Sequence, residues 1–315
     1  MMDKTKSSKS VYDIVADKII DKMEAGKIPW RTPWKVSFYG LPKNAVSKKD
    51  YRGVNIPLLF LEDYDCPYWA SFNQISKELN GKVNKGEKSS LVIFWKVTEK
   101  NIDDLTENQK KLLTQKEKEA GVVKDYILRY YRVFNLEQTT VTKEFKEGKI
   151  EEGNWIPAGE KKEFNPIEKA EEILNGFKNK PLIEHTGNEA RYITGHDLIR
   201  LPSKQKFNNE EGYYATMFHE LTHSTGHGTR LKRKEIMEGT VFGSDDYSKE
   251  ELIAEAGSSF MCAIAGINNT IDNSAGYIQN WLSVLKNNKR WLVCAFTTAQ
   301  KAVDYILGKE SRSYK

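Results

Sequence analysis

Apolar positions recur at helical spacing near the start of the chain. Val11, Ile14, Val15, Ile19 and Met23 fall on one face, and Gly26 follows as a stop signal, which predicts an amphipathic helix over 11–25. The next segment, "KIPWRTPWKVSFYGLPKN", is punctuated by proline and sets two tryptophans four residues apart, as a loop would. After "YRGVNIPLLFLEDY" and a helix-like "SFNQISKELNG", the runs "SLVIFWKV" and "YILRYYRVFNL" are rich in β-branched and aromatic residues and predict strands. Between them, "EKNIDDLTENQKKLLTQKEKEAG" is dominated by charge and reads as a solvated helical excursion from a hairpin.

From Val141 to Pro166 the chain turns polar, which places a boundary there: a first domain over 1–150, a linker over 151–165 and a second domain over 166–315. The second part opens with a helix, "PIEKAEEILNGF", then "ARYITGHDLIRLP" as a strand pair or edge strand. Further helices follow, among them "KEELIAEAGSSFMCAIAG" and one long terminal stretch, "SAGYIQNWLSVLKNNKRWLVCAFTTAQKAVDYIL". Helices gathered around small sheets make the fold class α+β, in two domains.

With 39% hydrophobic and 30% charged residues in 315, the chain is that of a folded soluble protein. It has no apolar run of membrane-spanning length and no apolar signal core at its start, so a cytoplasmic location without membrane partners is expected. Cys66, Cys262 and Cys294 are scattered and fit reduced, buried thiols rather than a disulfide frame or a thiolate metal site. The net charge of +5 conceals an asymmetry: residues 1–150 carry 28 Lys+Arg against 21 Asp+Glu, and the remainder 21 against 23. The basic half is the candidate for a polyanion.

Only five histidines occur, and three lie within "MFHELTHSTGH", Met217 to His227. "HELTH" has HExxH spacing, so on a helix His219 and His223 share one face and can reach one Zn2+ ion, with Glu220 beside it as general base. A competing reading is a helix with two satisfied histidines. For a third ligand, the longer HExxHxxGxxH pattern fails, because Thr229 stands where its last histidine belongs. His227 lies beyond the helix-breaking Gly226. The better candidate is "EELIAEAGSS", where Glu251 and Glu255 are four apart and resemble the ExxxD pattern of gluzincins. In that pattern the first carboxylate binds zinc and the second orients a ligand histidine from the second shell, or the order is reversed. A solvated acidic face is the alternative. His227, Tyr213 and Tyr247 are candidate oxyanion donors for peptide hydrolysis.

A binder of single-stranded DNA needs aromatic platforms beside cations. The basic half offers Trp30 and Trp34 in "PWRTPW", Arg52 and Asn55 in "YRGVN", and Lys85 and Lys88 in a glycine turn. Core packing is the competing role for the tryptophans.

Taken together, "IPWRTPW", "YRGVNIPLL", "FNQISKELNGKVNKGEKSSLVIFWK" and "YRVFNLEQT" resemble the N-terminal single-stranded-DNA-binding domain of ArdC-type antirestriction proteins of conjugative plasmids and other mobile elements. "EGYYATMFHELTHSTGHGTRLKR", "FGSDDYSKEELIAEAGSSF" and "YIQNWLSVLKNNKR" are similar to that family's zincin-type, gluzincin-like metallopeptidase domain. The resemblance implies a protein that coats single strands and shields transferred DNA from restriction, with His219, His223 and a glutamate of the EELIAE run as ligands and Glu220 catalytic. The chain is also similar to the N-terminal region of plasmid primases. Two rival expectations stand beside this one. In one, an active zinc peptidase cleaves host restriction or repair proteins and the N-terminal half targets it. In the other, a generic zinc peptidase uses that half to bind protein.

Overall fold

The computed structural model describes residues 9–30, 40–62, 64, 66–111, 113–141, 166–239, 243–267 and 275–309. Trp34 and the expected linker over 151–165 lie outside them.

The first helix, α1, spans Val11–Glu24, and Ser10 caps it reciprocally with Asp13. A sheet follows, built from β1 (Lys43–Asn44), β2 (Tyr68–Ala70), β3 (Ser90–Asn101) and β4 (Val122–Asn135) in the order β1-β2-β4-β3. β1 and β2 are parallel, and β4 runs antiparallel to both β2 and β3. α2 (Asn55–Phe60) and α3 (Phe72–Lys77) flank β2 in sequence. The charged excursion of the hairpin forms α4 (Glu107–Lys111) and α5 (Gln115–Ala120), the latter capped by Thr114.

The second part begins with α6 (Pro166–Gly176) and a three-stranded sheet of β5 (Leu182–His185), β6 (Arg191–Ile193) and β7 (Leu198–Leu201), ordered β5-β7-β6. β6 is therefore an edge strand, antiparallel to β7. Next come α7 (Glu210–Ser224), short α8 (Lys234–Met237), α9 (Asp245–Ala265), α10 (Ala275–Asn287) and α11 (Lys289–Ile306). The expected single terminal helix is in fact two. Asn288 leaves helical space at φ −143° and ψ 85°, so α11 turns away from α10. Periodicity alone cannot register one non-helical residue. Among the described residues, no helix is long and apolar enough to cross a membrane. Cys66 and Cys262 are buried free thiols, but Cys294 is exposed on α11, contrary to the expectation of burial.

The largest core is shared by both halves. Val15, Ile19 and Met23 of α1, Leu91 of β3, and Phe218, Phe260 and Phe296 of the later helices form one cluster. Two smaller clusters belong to the first sheet, one around Tyr68 and Ile75, the other around Trp69, Val92 and Val133. Trp30 is fully buried, its ring edge-to-face with Trp281 at 5.8 Å and Phe296 at 5.4 Å. Polar ties surround this junction: Lys289 meets Asp17 at 2.5 Å, Lys286 meets Glu24 at 2.6 Å, and Arg52 pairs with the buried Asp304. The backbone N–H of Gly53 donates to Gln300 at 3.1 Å, from a left-handed φ of +58° that favours glycine.

Because Trp30 fills a site between the two halves, Trp30→Ala is expected to cost about 3–5 kcal/mol. Thermal unfolding should show one lowered transition in which near-ultraviolet dichroism and tryptophan emission move together. Separate transitions for the two halves would contradict a shared core.

Candidate metal centre

α7 starts at Asn209, whose side chain accepts from Gly212 N–H at 2.7 Å, and runs long enough to carry His219 and His223 on successive turns. The helix alone supplies two imidazoles. What completes the group is α9, which crosses α7 at very short range. A Cβ on Gly257 would come within 2.5 Å of Thr222 Oγ1 and 2.6 Å of Thr222 Cγ2, so only glycine permits this approach. Ser258 Oγ ties the pair by donating to the Ala215 carbonyl at 2.8 Å.

The close crossing brings the Glu251 carboxylate to the imidazoles. Its oxygens lie 3.5 Å from His219 Nε2 and 3.4 Å from His223 Nε2, and the two Nε2 atoms are 3.1 Å apart. Among the described residues, this is the one group of three or more histidine, cysteine or acidic side chains close enough to share a cation, with all ligand atoms within 4.8 Å of one another. Glu255 Oε1 stands 3.7 Å from His219 Nδ1, behind the imidazole. That nitrogen is buried and, among the described residues, has no partner at hydrogen-bond distance.

A contact absent from the sequence reading holds the other imidazole. His223 Nδ1 lies 3.0 Å from Glu250 Oε1, and Arg233 clamps Glu250 with Nε to Oε2 at 2.9 Å and Nη2 to Oε1 at 2.6 Å. Arg233 also donates to Thr225 Oγ1 at 2.6 Å and to the Thr222 carbonyl at 2.8 Å. With Glu250 accepting the Nδ1 proton, the Nε2 lone pair of His223 faces Glu251 and His219. Glu250 is signalled in sequence only by its place in the "EE" doublet, and nothing in "RLKRKE" marks Arg233 as buried.

The electrostatics agree with a site built for a cation. Burial works against charge on both imidazoles, yet the carboxylates prevail: Glu251 raises His219, and Glu250 with Glu251 raises His223 well above the usual histidine value. Burial also opposes ionisation of Glu251, and the imidazoles outweigh it and hold the carboxyl well below the ordinary range. A divalent ion carries the charge those ring protons would otherwise supply. Two imidazoles and one carboxylate are a donor set suited to a divalent cation. Glu220 differs, because burial pushes its carboxyl up against the pull of the two imidazoles and of a hydrogen bond with the Tyr192 backbone in β6.

The remaining expected positions divide sharply. His227 turns to Thr229, with Nδ1 2.9 Å from Oγ1, and does not join the trio. Tyr213 is buried, and its hydroxyl lies 2.8 Å from His185 Nε2. Tyr247 sits in the first turn of α9, one turn before Glu251. Of the residues expected to meet DNA, Trp30 is corrected: its ring is enclosed by Trp281 and Phe296 and has no face to offer a base. Asn55 is corrected likewise, since its amide both donates to and accepts from the Ile93 backbone at 2.9 and 2.8 Å. Arg52 is spent on Asp304, while Lys85 and Lys88 are exposed.

Residues 168–299 match the model of a zincin-like metallopeptidase, and residues 9–134 match the N-terminal domain of the anti-restriction factor ArdC. The crystal structure of the antirestriction ArdC protein from the R388 plasmid, in its metal-free form, has 31% identity and a TM-score of 0.71 over 95% of this chain and 97% of that one. The chain belongs to the ArdC antirestriction family. The Mn(II)-bound form of the same ArdC protein superposes with a TM-score of 0.70 and 31% identity, over 97% of this chain and all (100%) of that one. Together with the zincin-like match, it points to a divalent cation. The uncharacterized protein y4eC of Sinorhizobium fredii is 30% identical over 96% of this chain and 92% of its own length. Two DNA primases TraC of Escherichia coli are 31% and 30% identical over 96% of this chain, which spans only 20% and 28% of their lengths.

Two outcomes test the construction of the centre. Gly257→Ala should drive α9 away from Thr222, costing about 1–3 kcal/mol and weakening affinity for a divalent cation in a dye-competition titration. Thr222→Ala in the same chain should restore part of both. Arg233→Met leaves Glu250 buried with one cationic partner fewer and should cost about 3–5 kcal/mol in urea unfolding; an unchanged midpoint would deny the clamp its role.

Proposed function

We propose that this ArdC-family chain protects DNA of a mobile genetic element by holding it as a single strand, without sequence preference, in the bacterial cytoplasm. We further propose one Zn2+ ion in the C-terminal domain, with His219, His223 and Glu251 as ligands and Glu255 behind His219. The observation that carries the metal reading is the convergence of three donor groups on one point, with Glu255 Oε1 3.7 Å behind His219 at Nδ1. The nucleic-acid reading rests on kinship to ArdC and on the basic first half.

A bound zinc ion supplies Lewis acidity, acidifying water and polarising a carbonyl. The protein's own groups then have defined tasks. Glu220, buried beside the trio, is placed to accept a proton from water and return it to a leaving amine. Glu250 and Arg233 fix the ring orientation of His223. The β6 edge, whose Tyr192 backbone meets Glu220, borders the same space.

The presence of Glu220 beside the trio favours a second reading, in which the domain is an active peptidase acting on restriction or repair proteins. Glu220→Gln distinguishes the two. Metal content and affinity for a single-stranded oligonucleotide should stay near those of the unaltered protein, while any hydrolysis falls by about 100-fold or more. Survival of protection in a restriction-challenge assay would favour the DNA-holding role, and its loss would favour the peptidase. A metal stoichiometry of zero after reconstitution with Zn2+ would sink the ligand assignment. Oligonucleotide affinity that ignores salt would sink the DNA reading, since phosphate contacts release counterions.

A further inference from the structure

The residues first expected to meet DNA are largely committed elsewhere, yet the first half exposes a different set. Of the five exposed phenylalanine and tyrosine side chains among the described residues, four lie on the β3–β4 pair: Phe94, Tyr126, Tyr130 and Tyr131. Exposing large rings costs apolar burial, so their concentration on one ribbon calls for an occupant. Register sorts them. Val92 pairs with Tyr131, Phe94 with Arg129 and Lys96 with Ile127, and alternation puts all six side chains on the same face. That face starts in a core with Tyr51 and Trp69, at Val92 and Val133, and emerges at Phe94 and Tyr131, which are 43% and 36% exposed.

We infer that this face, with Phe94 and Tyr131 as stacking rings and Arg129 and Lys96 as phosphate contacts, is where the protein holds a single strand. The inference rests on the DNA reading above and gives it a location. The rings sit edge-to-face with centroids 5.6 Å apart, a contact in which the ring offering its edge keeps both faces clear of its neighbour. Arg129 stands directly across from Phe94, and Lys96 lies two residues further along the same strand face. Charge selects a polyanion over a protein: β3 and β4 carry five Lys or Arg against Glu99 and Asp125, and Asp125 is paired with Lys100 at 2.6 Å. Exposed Lys85 and Lys88 lead into β3 and extend the cationic track. Unpaired bases offer ring faces that a duplex keeps stacked inside, so a single strand is the occupant that uses both features. The platform is also firm, because Asn55 pins the Ile93 backbone beside Phe94 through two hydrogen bonds. Asn55 thus supports the surface without touching its ligand.

The test is fluorescence anisotropy of a labelled oligothymidylate with the full-length chain across a salt series. The combined variant Phe94→Ala, Lys96→Ala, Arg129→Ala is expected to bind at least about tenfold more weakly. Its dependence of log affinity on log salt should flatten by about 1.4, for two lost phosphate contacts. Phe94→Trp, which keeps a ring, should stay within about twofold of the unaltered protein. Leu182→Ala, on the exposed surface of the other sheet, should have no effect. All substituted side chains are exposed, so unchanged thermal midpoints will accompany a true loss of binding. If the unaltered protein binds and the combined variant binds equally well, the surface assignment fails and the DNA reading stands. If the unaltered protein shows no affinity even at low salt, both fall. Equal binding of a blunt duplex, undiminished in the variant, overturns stacking as the mode of recognition.

Discussion

The approach of α9 to α7 at Gly257 is the constraint on which the candidate centre depends. Two imidazoles four residues apart define a direction, but they become a three-donor site only if a carboxylate from another element stands within reach. Side-chain length limits that reach, so the helix separation decides it. With the Gly257 Cβ position 2.5 Å from Thr222 Oγ1, a larger residue cannot be added without displacing the Thr222 side chain or the helix that carries it. The separation that results brings Glu251 to the two Nε2 atoms and leaves Glu250 and Glu255 behind the rings.

Burying so much charge would be prohibitive without compensation, and the compensation has a clear order. Arg233 neutralises Glu250, Glu250 orients His223, and Glu251 faces both imidazoles. Each group is held by one already fixed, which reduces the conformational freedom lost on assembling the site. In Glu220 burial outweighs the pull of the two imidazoles and raises the carboxyl, whereas in Glu250 and Glu251 the cationic partners prevail over burial.

The same reasoning explains why the two halves are not simply strung together. α1 and Trp30 precede the basic sheet in sequence but complete the core of the terminal helices, and Arg52 and Gly53 reach α11. Matches to two family models, over 9–134 and 168–299, are therefore compatible with a single continuous core. The sheet of the first half, in contrast, keeps two small clusters of its own and sends its hairpin outward with rings and cations exposed.

Much of this was legible in the residues. Helical spacing located α1, β-branched content located β3 and β4, and HExxH put His219, Glu220 and His223 on one helix, because each depends only on near neighbours along the chain. The four-residue offset between Glu251 and Glu255 is local in the same way, and both side chains face α7 from one helix. Other features needed the fold. Trp30 and an exposed base-stacking tryptophan look alike in sequence, since nothing local says which partner will cover a ring. Arg233 and Arg52 read as surface cations until a distant carboxylate claims them. The sequence by itself determined the chemistry available and its helical phase. The tertiary structure decided which groups meet, because burial, pairing and the distance between helices are set by contacts between residues far apart in the chain.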